Sequence, residues 1–233
     1  MLETLRKKVF ESNLKLVEHK LVISTWGNAS GIDRERGLVA IKPSGVSYSK
    51  LKISDIVIVD LDGNVINGDL NPSSDTLTHL ELYKSFDKIG GIVHTHSSYA
   101  TAWAQAGVGI PIVGTTQADY FNGPIPCTRD MTSTEIENGY EKETGKVIVE
   151  RFTDLDPMSV PGIIVKNHGP FTWGKNAEEA VMNSMVLEEI AKTTYMSKQL
   201  NPQLTMNPSL TKKHFKRKHG KKAYYGQTGG TKR

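Results

Sequence analysis

The feature that most restricts the fold is the spacing of the β-rich runs. Short apolar, β-branched runs recur along the 233 residues and end at Gly, Pro or Asn. Hairpin-length gaps separate some of them and helix-length gaps separate others. That alternation suits a mixed or antiparallel sheet covered by helices. The expected class is α/β, a single-domain α/β/α sandwich with a central mixed, largely antiparallel sheet.

Residues 1–19 predict an amphipathic helix with Leu2, Leu5, Val9 and Leu16 on its buried face. Strands are expected at 21–28, ending in a Gly-Asn turn, and at 37–45, stopped by Pro43 and Gly45. Residues 55–66 read as a hairpin around Asp62-Gly63. A helix is expected over 76–86, started by the preceding Pro-Ser-Ser-Asp, and another over 98–107, closed by Gly107. Residues 110–130 read as loop, 146–152 and 161–169 as strands, and Glu141 as part of a solvated helix face. The longest helix is expected over 176–200, with Asn176 capped against Glu179 and a buried stripe of Met182, Val186 and Ile190, flanked by Leu187 and Ala191.

Composition narrows the function classes. No window approaches the ~18 consecutive apolar residues of a membrane span, and the first twenty residues lack the apolar core of a signal peptide. A single cysteine, Cys127, excludes an internal disulfide framework, reads as structural and fits a cytoplasmic protein. No Walker loop or dinucleotide fingerprint is present. Residues 212–233 carry nine Lys or Arg and no acid, so the preceding residues carry a net −5 although the whole chain is +4. A basic run can serve nucleic acid. This one is short, lacks repeats and sits on a body with no basic stripe. A helix lining a site for an anionic small molecule fits it better, and neither nucleic acid nor membrane is the expected partner.

The chemistry concentrates in "GGIVHTHSSYA", residues 90–100. On a strand, residues i and i+2 face the same way, so His94 and His96 point together at a strand end. His168 ends another strand, "GIIVKNHG". Three neutral imidazoles are a ligand set suited to Zn²⁺, and Asp75 at a helix start is a candidate fourth ligand. Taken alone, the His94/His96 pair reads more readily as hydrogen-bonded surface or core histidines, and His168 equally well as a hydrogen-bonded turn residue. Three small-residue turns, "GNAS" (27–30), "KPSG" (42–45) and "PSSD" (72–75), offer hydroxyls and backbone N–H groups, and Lys42 adds a charge. Each alone reads as an ordinary turn. Together they suit a phosphate cradle.

These segments, with "GTTQADYF", "IPCTR", "NHGPFTWGK" and "KHGKKAYYGQ", resemble the L-ribulose-5-phosphate 4-epimerases of the class II aldolase/adducin-like superfamily. The resemblance runs from the first helix to Gln227 and implies one domain over 1–227, with 205–227 as a C-terminal segment of the active site and 228–233 as a disordered tail. It implies that His94, His96 and His168 bind one divalent metal per subunit, Zn²⁺ or another such as Mn²⁺ or Co²⁺, with Asp75 at or near it. It implies a phosphate site from Asn28, Ser44, Gly45, Ser73 and Ser74, with Lys42 close by. Asp119 and Tyr225 match the family's acid/base pair, and His214 a further active-site histidine. Lys218, Lys221 and Lys222 are placed to lower the tyrosine's pKa.

The implied activity interconverts L-ribulose 5-phosphate and D-xylulose 5-phosphate by retro-aldol cleavage of C3–C4 through a metal-stabilised enediolate. The implied assembly is a homotetramer with active sites at subunit interfaces, serving pentose metabolism such as the arabinose route. Two rivals share the fold. Class II aldolases of the fuculose- or rhamnulose-1-phosphate type carry a longer glutamate at the position of Asp75, and a non-catalytic adducin-like module loses the ligands.

Overall fold

The computed structural model describes residues 2–220 and 223–224. Tyr225, Lys221, Lys222 and the tail at 228–233, singled out above, lie outside the described residues.

Seven strands form one sheet in the order β4-β3-β2-β1-β5-β7-β6. They are β1 (Asn28–Asp33), β2 (Leu38–Ile41), β3 (Val57–Asp60), β4 (Val65–Asn67), β5 (Gly91–His94), β6 (Gly162–Val165) and β7 (Gly169–Gly174). Every pairing of these strands is antiparallel. The expected sandwich is present, with its sheet antiparallel where a mixed one was also allowed.

One face is covered by α1 (Leu2–Glu18) and α7 (Ala177–Leu200), which bury Val9, Leu16, Ala180 and Val181 against Ala29, Ala40 and Val93. The other is covered by α2 (Thr76–Ser85), with α6 (Tyr140–Arg151) packed on it; Leu80, Leu82 and Tyr83 join Val39, Ile92, Phe171 and Trp173 in the main core. Full burial of side chains such as Phe171 or Ile92 stabilises by about 1.5–3 kcal/mol each. The remaining helices are α3 (Ser98–Ala106), α4 (Thr115–Tyr120), α5 (Ser133–Glu137) and α8 (Pro208–His219). Among the described residues no helix is long and apolar enough to cross a membrane.

Close backbone contact explains the double glycine before His94. A Cβ on Gly90 would lie 2.1 Å from the carbonyl oxygen of Lys175, and one on Gly91 2.2 Å from the amide nitrogen of Ala177. The start of β5 is therefore pressed against the entry into α7, where Asn176 accepts from the Glu179 amide at 2.9 Å as the capping pattern predicts. The Asp62-Gly63 hairpin and the left-handed Gly107 closing α3 are also as expected.

Five expectations are corrected. Residues 21–27 are not a strand: Lys20 and Ser24 have positive φ, which breaks an extended run, and the central strand starts only at Asn28. Residues 146–151 belong to α6 and Phe152 follows as its C-cap, because Thr144, Val147 and Ile148 recur at helical spacing and bury one face. Met182 is 43 % exposed, whereas Val186, Leu187, Ile190 and Ala191 are buried as expected. The 110–130 region contains α4, and β7 follows His168 where no separate strand was expected.

Candidate active site

Antiparallel register builds the site. Asn28 pairs with His94 across β1 and β5, and His94 with Phe171 across β5 and β7. Cross-strand partners project from the same face, so the three side chains stand in a row. The Phe171 ring stacks on His94 at 4.2 Å between centroids and 19° between planes. His94 Nδ1 lies 3.0 Å from the Pro170 carbonyl oxygen, which can only accept, so Nδ1 carries the proton and Nε2 presents its lone pair.

His96 follows two residues on, with its Nε2 3.1 Å from that of His94. His168 comes from the tight β6–β7 turn, closed by its own amide donating to Val165 and by Asn167 at φ 62°, a conformation asparagine tolerates. Its ring centroid lies 4.6 Å from that of His94 and 5.0 Å from that of His96. One ligand atom from each of the three lies within 4.8 Å of the others. Two nitrogens bound at 2.0–2.1 Å to a tetrahedral zinc stand about 3.3 Å apart, so the trio could hold a divalent ion. Burial, reinforced by the other imidazoles and opposed by Asp75, holds His168 down at about 3 and lowers His96 as well. Both are thereby kept in the neutral form that ligates.

Asp75 occupies the N-cap of α2, yet its side chain makes no capping bond. It accepts instead from Asn28 Nδ2 at 2.6 Å and from Ser73 Oγ at 3.5 Å. Burial pushes its pKa up, but His94, His79, His168 and the Asn28 bond outweigh that and hold the carboxyl below its usual range. Its oxygens fall outside the trio of mutually close ligand atoms. Asn28 Oδ1 is buried without a partner among the described residues.

The two remaining small-residue turns are joined. Pro43 and Pro72 form an antiparallel bridge, the Ser44 amide donates to Asn71, and the Ser73 amide to Lys42. Gly45 has φ 68°, which its glycine identity permits. Lys42 is 1 % exposed, its Nζ 3.3 Å from the Pro43 carbonyl and 4.8 Å from the Tyr48 ring centroid. Among the described residues no carboxylate forms a salt bridge with it, and burial lowers its pKa to about 8.

One cavity of about 580 Å³ takes in all ten residues expected for metal and phosphate: Asn28, Lys42, Ser44, Gly45, Ser73, Ser74, Asp75, His94, His96 and His168. Trp26 lines it too, as do Tyr140 and Glu141, which were not foreseen here, Glu141 belonging to the cavity rather than to a solvated face. Tyr140 Oη lies 3.2 Å from His168 Nδ1. Burial and the Asp75 carboxylate raise its pKa, so the phenol keeps its proton. The spacing that would have revealed it is the helical period of α6, masked by the β-branched run 147–149.

Asp119 and His214 form a second cluster and do not line this cavity. Asp119 sits on α4 and accepts from His214 Nδ1 at 3.0 Å and from Arg217 Nε and Nη2 at 3.0 and 2.7 Å, both on α8. Burial opposes ionisation of Asp119, but these bonds prevail and lower its pKa. His219 Nε2 bonds its carbonyl oxygen at 2.8 Å, and Lys218 Nζ sits 3.5 Å from the Tyr120 ring centroid. In the sequence Arg217 stands out only as one basic tail residue.

This fold belongs to a known class. Residues 7–195 match the family described as Class II Aldolase and Adducin N-terminal domain, and the chain is a member of that family. Among solved structures, one described as L-fuculose 1-phosphate aldolase is 27% identical, covers 92% of this chain and 95% of its own, and superposes with a TM-score of 0.78. An L-fuculose-1-phosphate aldolase from Thermus thermophilus, 21% identical over 87% of this chain and 100% of its own (TM-score 0.69), shares the fold. So does an L-fuculose 1-phosphate aldolase from Glaciozyma antarctica, 17% identical over 92% of this chain and 81% of its own (TM-score 0.76).

Proposed function

We propose that the chain is a metal-dependent epimerase interconverting L-ribulose 5-phosphate and D-xylulose 5-phosphate. The observation that carries this reading is the meeting in one cavity of three closely spaced imidazoles, hydroxyl-rich turns and a buried ammonium that no carboxylate pairs with among the described residues. At about 580 Å³ the cavity is in the size range of small-molecule sites. Asp75 in place of a longer glutamate, together with Asp119 and Tyr225, favours epimerisation within the family.

Inverting C4 by proton abstraction is unfavourable, because C4 is not adjacent to the C2 carbonyl. The C3–C4 bond is placed for retro-aldol cleavage instead. A base takes the C4 hydroxyl proton, and the C3–C4 electron pair moves toward the C2 carbonyl. The products are the enediolate of dihydroxyacetone and glycolaldehyde phosphate. When the aldehyde turns and C3 re-adds to its other face, the new alkoxide takes a proton from an acid on that side.

His94, His96 and His168 would hold a divalent ion, zinc or a similar one, with Asp75 beside it. Such an ion supplies a Lewis acid for the charge that builds on the substrate oxygens. Asn28, Lys42, Ser44, Gly45, Ser73 and Ser74 would retain the phosphate, so the aldehyde fragment turns without leaving. Asp119 and Tyr225 would take and give the C4 hydroxyl proton, with His214 orienting Asp119. Asp119 lies off its own chain's cavity, so in this reading it serves a neighbouring subunit's cavity in a cytoplasmic homotetramer.

Incubation with L-ribulose 5-phosphate should yield D-xylulose 5-phosphate, and chelation should stop it. Absence of that product from metal-loaded protein would refute the epimerase reading. The 27% identical L-fuculose 1-phosphate aldolase favours a second reading, cleavage of a sugar 1-phosphate with release of both fragments. Dihydroxyacetone phosphate appearing from L-fuculose 1-phosphate would establish it.

A further inference from the structure

We propose that Tyr140 is a positioning residue for the metal site: its phenol oxygen accepts the Nδ1–H of His168 and fixes the ring orientation that offers Nε2 to an ion. The inference rests on the metal reading of the imidazole trio. The three histidines are not held alike. His94 is locked from outside the cavity, its Nδ1 bonded to the Pro170 carbonyl and its face stacked on Phe171. His168 projects from a three-residue turn whose hydrogen bond uses its backbone amide and leaves the ring to find its own partner. That partner is the Tyr140 hydroxyl at 3.2 Å, with the two rings 6.0 Å apart. An imidazole ligates through one nitrogen only when the other carries the proton, and the group that receives that proton sets both tautomer and ring angle.

Tyr140 can do this because its own place is fixed. It opens α6, which packs so closely on α2 that a Cβ on Gly145 would lie 2.6 Å from the Glu81 Cβ. Thr78 Oγ1 donates to the Glu141 carbonyl at 2.5 Å, and Thr144 Oγ1 to the Tyr140 carbonyl at 2.7 Å. α2 is also the helix with Asp75 at its N-cap. One helix pair therefore sets both the carboxylate beside the trio and the hydroxyl behind its third member. A hydroxyl supplied by a neighbouring helix takes the place that a backbone carbonyl takes for His94.

The test is Tyr140→Phe, which removes one oxygen and keeps the ring. Zinc affinity is measured by competition with a chelating dye, on metal-stripped wild-type and variant protein. The expected result is a 10–100-fold weaker dissociation constant in the variant. A constant within twofold of wild type overturns the proposal. If the variant's metal-free form is also less stable, the visible absorption of the Co²⁺-loaded folded protein decides. A shifted band supports altered ligand geometry, and an identical band overturns it. A wild-type protein that binds no divalent ion in the same titration refutes the metal reading itself, a failure distinct from an unaffected Tyr140→Phe.

Discussion

The imidazole cavity and the Asp119 cluster are built by different means. The cavity is a product of sheet register: Asn28, His94 and Phe171 stand side by side because β1, β5 and β7 are neighbours, and glycines at 90 and 91 let α7 close on the strand. The Asp119 cluster is held by charge between two helices, with His214 and Arg217 reaching Asp119 across 95 and 98 residues of chain. The first is a polar cavity at the strand ends, where His94 is buried, His168 half-buried and His96 exposed. The second is a partly exposed latch. A sheet-built site should fail together with its ligands, whereas a latch should fail alone.

The largest expected effect tests that separation directly. His94→Asn should lower the bound metal well below one equivalent and cut the proposed epimerase activity by about 10³-fold, the scale of losing several kcal/mol of charge stabilisation. Metal analysis and a product assay check both. Asp119→Asn should lower kcat by about 10²-fold, the size of one acid/base contribution, while leaving metal content unchanged. If Asp119→Asn also emptied the metal site, the two regions would not be independent.

Lys42 sharpens the cavity side. Burial holds its pKa at about 8, below the ordinary lysine value. Its positive charge is present below that pH and lost above it, so kcat/KM for a phosphorylated substrate should fall about tenfold per pH unit beyond pH 8. Stability should move the other way. Between about 8 and the ordinary value the unfolded chain holds the proton more firmly than the folded one, so this group's contribution to stability rises with pH there. Lys42→Met should abolish the alkaline limb together with most phosphate affinity, in a pH–rate series on both proteins.

What the sequence discloses follows the same division. His94 and His96 can be paired from spacing alone, because a strand's two-residue period is local, and the turns at Ser44 and Ser73 announce themselves by composition. Turn and cap chemistry at Asp62-Gly63, Gly107 and Asn176 is readable for the same reason. The meeting of His168 with His94 is not, since it depends on β7 lying beside β5. The second half of α6 is hidden because Val147, Ile148 and Val149 favour strands, a preference that packing against α2 overrides. Tyr140 is hidden with it. Arg217 looks like one more basic residue because nothing local shows that a lysine- and arginine-rich helix will close on Asp119.

The smallest expected effect is the response of the two regions to acid, measured on metal-free protein. His79 is fully buried beside the cavity, with Ser30 Oγ 2.7 Å from its Nδ1. Burial, with His94 adding and Asp75 opposing, depresses it to about 3. The unfolded chain therefore gains this proton first as pH falls below the ordinary histidine value, and the sheet should lose stability progressively from about pH 6.5 downward. Asp119 has the opposite character. Its carboxyl is held below the ordinary range, so the latch's contribution is fully present above about pH 4 and disappears only as pH falls through the lowered value. Between about pH 6 and 4 the sheet should weaken while α8 stays docked, and only below that should α8 release. Hydrogen exchange of α8 and of β5, corrected for the intrinsic rate at each pH, reads the two separately. Arg217→Ala should raise α8 exchange several-fold even at about pH 7 and leave the pH dependence of β5 as it was. If α8 and β5 loosen in step from about pH 6.5 in the wild type, the helix latch and the sheet are a single cooperative unit.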